Sequence, residues 1–199
     1  ASGFGLLINA QPDELAFTKN THDGINMVAN MVEWEKGDNV ILNDLEFPAN
    51  VFPWAYQRKH GVEIKVAENT GGGVYPEDIE ALVDDKTKVI ALSHVEFLNG
   101  FKQDIEAIGK IARENDIIFV VDAMQSVGVA DFDVRKANID FLACGGHKWL
   151  LAPLGTGFFY IRRELLEQYD PPGIGLQGHD SGLLKGFTME WNPHKTARK

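Results

Sequence analysis

The chain has 199 residues, of which 44% are apolar and 24% are charged, and its formal net charge is −10. This composition is typical of a globular protein with a substantial core. The acidic balance speaks against nucleic acid or an anionic membrane as a partner, since both need a basic surface. No apolar run reaches the roughly 20 residues of a membrane helix. The single cysteine, Cys144, cannot form an internal disulfide, so we expect a cytoplasmic protein.

Seven short apolar segments predict β-strands, and helical patterns separate several of them. In chain order the predicted strands are residues 15–17, 39–42, 62–66, 88–92, 117–121, 139–143 and 157–161. The predicted helices are residues 21–34, 49–60, 76–83 and 103–114. This alternation predicts an α/β fold with three layers, α/β/α, around a mostly parallel seven-stranded sheet. Little helix separates the last strands, so we expect antiparallel pairing near residues 157–161.

Local signals mark the ends of three of these helices. Thr21 is a good N-cap for the first helical pattern. Gly61 suits the position after the C-terminus of the second. Pro76, followed by two acidic residues, suits the first turn of the third.

Polar residues follow two of the apolar runs where the predicted strands end. Asp122 and Gln125 follow the run at 117–121, and His147 and Lys148 follow the run at 139–143. Ligands of open α/β sheets bind beyond the carboxyl ends of the strands, so these side chains are expected to converge. An acid, an amide, an imidazole and an amine together suit pyridoxal phosphate (PLP).

The chemistry of this cofactor gives each residue type a task. PLP forms a Schiff base with a lysine and then accepts electrons, so Lys148 is the predicted catalytic residue and benefits from a desolvated or electropositive setting. A carboxylate such as Asp122 would keep the ring nitrogen protonated. Gln125 can donate a hydrogen bond to the ring oxygen, and His147 can donate one to the phosphate.

The segments VVDAMQSVG and CGGHKWLLAPLGTGFFYIR resemble those of the class V aminotransferases, fold-type I PLP enzymes that include cysteine desulfurases and isopenicillin-N epimerases. The resemblance extends through FTKNTHDGIN, EFPAN and SHV, and so covers nearly the whole chain in the order of the family. The spacing between Asp122 and Lys148, 148 − 122 = 26 residues, also agrees.

The resemblance implies a role for each matching position. The turn that contains Thr21 and His22 would bind the phosphate through backbone amides and a hydroxyl, and Phe47 would stack on the cofactor ring. Asp122 would bind the ring nitrogen and Gln125 the ring oxygen. His147 would bind the phosphate and Lys148 the aldehyde carbon, in agreement with the roles expected from the chemistry. It further implies a homodimer, because fold-type I sites are shared between subunits.

The resemblance implies an enzyme that acts on an amino acid, but transamination, epimerisation, desulfuration and elimination share these residues. Two departures bear on the choice. Gly145 lies where many relatives have a phosphate-binding hydroxyl. Glu96 and Phe97 replace the Ser-Asn pair of a desulfurase and argue against that reaction. A cysteine desulfurase and a non-catalytic PLP-fold fragment are the alternatives.

Family members are about twice this length, so the resemblance also bears on domain organisation. Residues 1–169 are predicted to form the PLP-binding large domain, without an N-terminal part of it. Residues 170–199, rich in glycine and proline, are predicted to form a loop or linker toward a small C-terminal domain. Activity of this chain on its own is left open.

Simpler roles remain alternatives for individual residues. Asp122 could cap the following turn, His147 could be a structural hydrogen-bonding residue, and Phe47 could belong to the core. The histidines show no metal-ligand spacing, so no metal is predicted. A dinucleotide-binding domain is disfavoured because no Gly-x-Gly-x-x-Gly motif follows the first strand.

Overall fold

The computed structural model describes residues 2–173, and within this range all seven predicted strands are confirmed. The helices are α1 (Ser2–Ile8), α2 (Thr21–Met31), α3 (Phe52–Tyr56), α4 (Pro76–Glu80) and α5 (Ile105–Glu114). The strands are β1 (Leu15–Thr18), β2 (Asn39–Asn43), β3 (Glu63–Ala67), β4 (Thr87–Ser93), β5 (Ile118–Asp122), β6 (Phe141–Gly145) and β7 (Gly157–Ile161). Most of the predicted linker, residues 174–199, lies outside the described residues.

The strands form one sheet in the order β1-β7-β6-β5-β4-β2-β3. Neighbouring strands from β3 to β6 pair in parallel, whereas β7 is antiparallel to both β6 and β1. The sheet is therefore mixed but mostly parallel, and the antiparallel pairing expected near residues 157–161 is confirmed. In this order β5 and β6 are neighbours in the middle of the sheet. The predicted site residues Asp122, Gln125, His147 and Lys148 lie at or just after the ends of these two strands.

The core lies in two layers, one on each face of the sheet. In β2, Val40 and Leu42 face the layer that α2 and α3 cover, while Ile41 between them faces the layer that contains α1, α4 and α5. Successive side chains of a strand point to opposite faces, so a run that is apolar at every position fills both layers. The three-layer architecture is thus a direct consequence of the continuous apolar runs.

Helix α2 is shorter than the predicted helix and begins with a different cap. Its N-cap is Asn20, whose side chain accepts a hydrogen bond of 2.8 Å from the backbone N–H of Asp23, so the N-cap assignment of Thr21 was wrong. The helix ends at Met31 because Trp34 folds back and its Nε1 donates to the carbonyl oxygen of Ala29 at 2.9 Å.

The predicted helix at residues 49–60 is broken into three short pieces. A 3-10 turn at Pro48–Asn50 precedes α3, and a second 3-10 turn at Gln57–His60 follows it. Pro53 lies in the first turn of α3, because proline lacks a donor and clashes with the preceding helical turn. Gly61 ends the segment at φ 83°, as its predicted C-terminal position requires.

The N-terminal helix α1 was not predicted from the sequence. Two of its seven residues are glycines, which disfavour an isolated helix, and its order comes from packing. The ring of Phe4 stacks on that of Phe158 with centroids 4.2 Å apart, and Ile8 is fully buried. Neither α1 nor any other helix within residues 2–173 is long and apolar enough to cross a membrane.

The close approach of α2 to β6 generates a first prediction. A Cβ at Gly24 would lie 2.7 Å from the Cβ of Ala143 and 3.2 Å from Cδ2 of Phe159. We expect Gly24→Ala to lower the free energy of unfolding by about 1–3 kcal/mol, because α2 must move off the sheet. Urea denaturation followed by circular dichroism measures the change.

Gly3→Ala is the matched control for this prediction, because a Cβ there meets no atom within 4 Å in helix α1. Alanine favours a helix by up to about 1 kcal/mol over glycine, so this variant should be neutral or slightly stabilised. Equal effects of the two substitutions would contradict the packing argument.

Candidate active site

The carboxyl ends of β4, β5 and β6 lie side by side and form the floor of a cleft. Ser93 pairs with Asp122 in the strand register, and Asp122 pairs with Ala143. The cleft has a volume of about 200 Å³ and brings together all seven residues predicted from the sequence. Its lining consists of Asn20, Thr21, His22, Phe47, Ala49, Ser93, Val95, Phe97, Asp122, Met124, Gln125, His147 and Lys148.

Asp122 is a buried carboxylate at the end of β5, only 4% exposed. Its Oδ1 accepts a hydrogen bond of 2.8 Å from the backbone N–H of Met124. Burial raises the pKa of Asp122 to about 7, while the Met124 N–H and the positive charge of Lys148 act in the opposite direction. A buried acid of this kind would be stabilised in its charged form by a cation bound in the cleft.

The N-terminus of α2 forms a second wall of the cleft and presents Thr21 and His22 to it. The first backbone N–H groups of a helix have no partner within it and attract anions. Thr21 Oγ1 accepts a hydrogen bond of 2.9 Å from the backbone N–H of Gly145, so this hydroxyl ties α2 to β6. Thr21 is buried, whereas the side chain of His22 is exposed.

Gly145 leaves space that the neighbouring Met124 fills. A Cβ at Gly145 would lie 2.9 Å from Sδ of Met124 and 3.3 Å from Cε1 of His147. A side chain at this position would therefore need Met124 to move. The small volume of Gly145 thus leaves room for the long side chain of Met124.

Lys148 and His147 lie in a bend directly after β6, and both side chains are exposed. The bend is held by backbone hydrogen bonds from Gly146 to Thr156 and from Ala152 to Gly146, 2.8 and 2.9 Å long. The desolvated setting named as an advantage for Lys148 is thus not formed by the described residues. The end of β6 nevertheless places Lys148 at the same cleft as Asp122.

Phe47 lies at the mouth of the cleft and is 47% exposed, so it is not a core residue. Its ring meets that of Phe97 edge to face, with centroids 5.0 Å apart and an interplanar angle of 77°. Phe97 is itself 41% exposed. The pair forms an apolar wall opposite the end of β5.

Several lining residues were not singled out from the sequence as site residues. Ser93 is held by Glu46, whose Oε2 accepts its hydroxyl at 2.7 Å and whose Oε1 accepts its backbone N–H. Phe97 and Met124 contribute apolar surface. Their positions just after strands or next to Asp122 are a signal, but apolar residues in such places are too common to indicate a cleft by sequence alone.

His94 neighbours the cleft in sequence but points away from it. It is 1% exposed and packs edge to face on Phe132 at 4.8 Å. Burial lowers its pKa to about 4, with a further contribution from Lys102, so it is neutral at physiological pH. No group of three or more potential ligands that could hold a metal ion occurs within residues 2–173.

The donors of the cleft fit PLP in kind and in placement. A buried acid without a paired cation lies at one wall, a helix N-terminus suited to an anion at another, and a free amine between solvent and floor. The aromatic ring of Phe47 offers a stacking surface. The pyridinium, the phosphate and the aldehyde of PLP would each find a matching group.

The model of the class V aminotransferase family matches residues 2–197. The chain belongs to this family. Enzymes of this family use PLP, and the fold is that of PLP fold-type I enzymes. The family resemblance inferred from the segments VVDAMQSVG and CGGHKWLLAPLGTGFFYIR is thereby confirmed.

Two curated relatives show what the chain is similar to. It is 40% identical to a probable cysteine desulfurase of Methanothermobacter thermautotrophicus, an alignment that covers 84% of this chain and 42% of the relative. It is 32% identical to the uncharacterized aminotransferase YcbU of Bacillus subtilis, covering 90% of this chain and 48% of the relative. The chain thus spans less than half the length of these relatives.

A solved structure gives the same result. The apo cysteine desulfurase from Thermococcus onnurineus NA1 superposes with a TM-score of 0.86 at 32% identity. The superposition covers 98% of this chain and 49% of that structure. The desulfurase alternative, which Glu96 and Phe97 disfavoured, therefore stays consistent with the comparisons.

The bond between Thr21 and Gly145 generates a second prediction. Thr21→Val should lower the free energy of unfolding by about 1–3 kcal/mol, because the buried N–H of Gly145 loses its acceptor. Thr21→Ser keeps the hydroxyl and should lose much less. Urea unfolding of both variants is the measurement, and equal losses would show that the methyl group rather than the hydrogen bond matters.

The buried acid generates a third prediction, for the protein without cofactor. The pKa of Asp122 is about 7 in the folded chain and about 3.9 when unfolded, so its contribution favours folding at low pH and is lost as pH rises through 7. The loss amounts to at most roughly 4 kcal/mol. Asp122→Asn should therefore gain stability relative to the parent protein between about pH 5 and pH 8.

Thermal unfolding at several pH values measures this difference. Asp85→Asn, at an exposed position, is the matched control for the loss of one carboxylate. A gap between parent and Asp122→Asn that does not change with pH would contradict a raised pKa at Asp122.

Proposed function

We propose that this cleft binds PLP and that the protein is a class V aminotransferase-like enzyme acting on an amino acid, with Lys148 as its catalytic residue. The observation that carries the proposal is the convergence of all seven predicted residues on one cleft, with a buried acid at its floor. Membership of a PLP-dependent family supports it.

When bound, PLP supplies a carbonyl carbon that captures amines and a ring that accepts electrons. Lys148 Nζ would hold the cofactor and, once a substrate amine displaces it, would move the α-proton as general base. Its exposure at the end of β6 leaves it free to change partners. Asp122 would keep the proton on the ring nitrogen, since a cation opposite it favours the charged carboxylate.

The remaining residues would bind and orient. The backbone amides of Thr21 and His22 at the start of α2 would hold the phosphate, and His147 would add a side-chain donor. Gln125, half-buried beside Asp122, would donate to the ring oxygen without adding charge. Phe47 would stack on the ring face.

A cysteine desulfurase is the second candidate, favoured by the names of the relatives at 40% and 39% identity. The chain offers no nucleophilic cysteine for this reaction. Its single cysteine, Cys144, is 1% exposed, and burial raises the pKa of its thiol to about 12. Phe97 also places a ring in the cleft. Since the chain spans 42% and 43% of these relatives, Cys144 does not separate the two candidates, and Glu96 and Phe97 are the residues that favour the general aminotransferase-like function.

The proposal extends to organisation. We infer that residues 1–169 are the PLP-binding part of a longer enzyme and that residues 170–199 lead to a further domain, as the lengths of the relatives suggest. A homodimer is supported by exposed apolar side chains beside the cleft, with Leu151 90% and Leu154 80% exposed. One cysteine supports a cytoplasmic location.

The test is the absorbance spectrum of the purified protein with added PLP, before and after borohydride reduction. We expect a visible band that reduction converts to a stable adduct on Lys148, located by peptide mass spectrometry. Lys148→Ala should abolish the band, because no other lysine within residues 2–173 lines the cleft.

Lys110→Ala is the matched control, since this exposed lysine lies on α5 and is paired only with Glu114 at 3.8 Å. It should keep the band. A folded parent protein without a band at saturating PLP would leave the non-catalytic fragment as the better description of this chain. An adduct on a lysine other than Lys148 would refute the assigned residue.

A further inference from the structure

A cluster of polar side chains lies buried behind the floor of the cleft. Glu46 and Glu96 are 8% and 1% exposed, and Asn43 and Gln103, which contact them, are 3% and 2% exposed. No ion pair to either glutamate is found in the part of the chain that the structure describes. Burying two charged carboxylates without a cation would cost much free energy, so we asked which of the two carries a proton.

The hydrogen bonds of the cluster connect it to the cleft. Asn43 Nδ2 donates to both acids, at 2.8 Å to Glu96 Oε1 and at 3.3 Å to Glu46 Oε1. Glu46 in turn holds Ser93, which lines the cleft and pairs with Asp122 in the strand register. The chain of contacts therefore runs from Glu96 through Asn43 and Glu46 to the cleft floor.

The cluster is short of hydrogen-bond donors on the Glu96 side. Gln103 Nε2 donates to Glu96 Oε1 at 3.0 Å, but Glu96 Oε2 and Gln103 Oε1 are both buried without a partner. Both of these atoms are acceptors. A hydrogen on Glu96 Oε2 removes the negative charge that this unpartnered oxygen would otherwise carry, and it leaves Oε1 as the acceptor for Gln103 and Asn43.

We propose that Glu96 is held as a neutral carboxylic acid at physiological pH and that in this form it is a positioning residue for Asn43, Glu46 and Ser93 beneath the cleft. The glutamates cannot exchange these roles without loss. Glu46 Oε1 accepts from the backbone N–H of Ser93, which can only donate, and Glu46 Oε2 accepts from the Ser93 hydroxyl. Glu46 therefore has a donor at each oxygen, as a charged carboxylate requires, whereas Glu96 has none at Oε2.

Burial raises the pKa of both glutamates, that of Glu46 well above its usual value, so it favours a proton in the cluster while the hydrogen bonds decide which acid carries it. Burial raises the pKa of Glu96, and the negative charge of Asp44, which follows β2, raises it further, while the bonds from Gln103 and Asn43 lower it. Burial also raises the pKa of Glu46, and the charges of Glu96 and Asp122 add to that effect. Lys148 is the cation that acts on Asp122 from β6. A neutral Glu96 removes one repulsion from both neighbours.

This neutrality has a consequence for the cleft that rests on the proposed function. A charged Glu96 raises the pKa of Asp122, so it would favour a proton on the acid that should face a cationic ring nitrogen. With the proton on Glu96 instead, Asp122 is free to be the charged partner. Glu96 would thereby contribute to PLP affinity without touching the cofactor.

The test compares Glu96→Gln with Glu46→Gln by thermal unfolding between about pH 5 and pH 8. Glutamine is nearly isosteric with the neutral acid, so Glu96→Gln should unfold within about 3 °C of the parent at pH 5. The pKa of Glu96 is about 4.3 in the unfolded chain and higher in the folded one. The parent therefore loses stability as pH rises, and Glu96→Gln lacks this loss because it has no carboxyl group to titrate. Glu96→Gln should thus gain on the parent toward pH 8.

Glu46→Gln is the matched variant and should lose more stability at pH 5 than Glu96→Gln does. Its amide NH2 would replace one of the two oxygens that accept from the Ser93 N–H and hydroxyl. A mild effect of Glu46→Gln together with a severe one of Glu96→Gln would overturn the assignment of the proton.

Infrared spectroscopy gives a readout that does not depend on stability. The parent protein should show the C=O stretch of a protonated carboxyl at about pH 8, above the pKa of Asp122, and Glu96→Gln should lack it. The band being absent from the parent, or present unchanged in the variant, would show that Glu96 is ionised or that another acid carries the proton.

The same proteins separate this inference from the proposed function. If the parent binds PLP, Glu96→Gln should keep the dissociation constant within about threefold. Glu96→Ala should weaken binding about tenfold or more, because Asn43 loses the nearer of its two carboxylate acceptors. Equal affinities for all three would refute the positioning role. Failure of the parent to bind PLP, with the infrared band present, would refute the proposed function and leave the neutral Glu96 established.

Discussion

The parallel pairing of β4, β5 and β6 is the constraint on which the rest of the site depends. It places Ser93, Asp122 and Ala143 in one row at the carboxyl edge of the sheet. Because these strands are buried on both faces, each side chain is committed to a layer, and a slip of one residue would exchange the layers. The register therefore fixes which polar group faces the cleft, and α2 can close against β6 only because Gly24 has no side chain.

The site contains buried acidic groups whose negative charge a bound cation would compensate. Asp122, Glu46 and Glu96 are buried acids close enough to perturb one another, while the amine of Lys148 remains in solvent. Water does not solvate such acids, so either protons or a bound positive group must compensate them. The pyridinium of PLP would compensate Asp122, and a retained proton would compensate Glu96. The ligand would thus compensate one buried acid and a proton the other.

The cleft is open to solvent in the part of the chain that the structure describes. His147 and Lys148 are exposed, and apolar side chains next to them, Trp149 and Leu151, are 51% and 90% exposed. Exclusion of water from such a site would have to come from other surfaces, of a partner subunit or of a further domain. Residues 2–173 supply the groups that we propose to face the cofactor.

The sequence by itself determined the seven strands, the family and the residues that share the cleft, because continuous apolar runs ending in Asp122 or before Lys148 are local patterns. Tertiary structure decided what local patterns do not contain. Helix α1 is held by the stacking of Phe4 on Phe158. Asn20 rather than Thr21 is the N-cap of α2, and the Thr21 hydroxyl instead accepts a hydrogen bond from the distant Gly145. The buried acid cluster joins residues far apart in sequence, and burial, which sets their protonation, exists only in the folded chain.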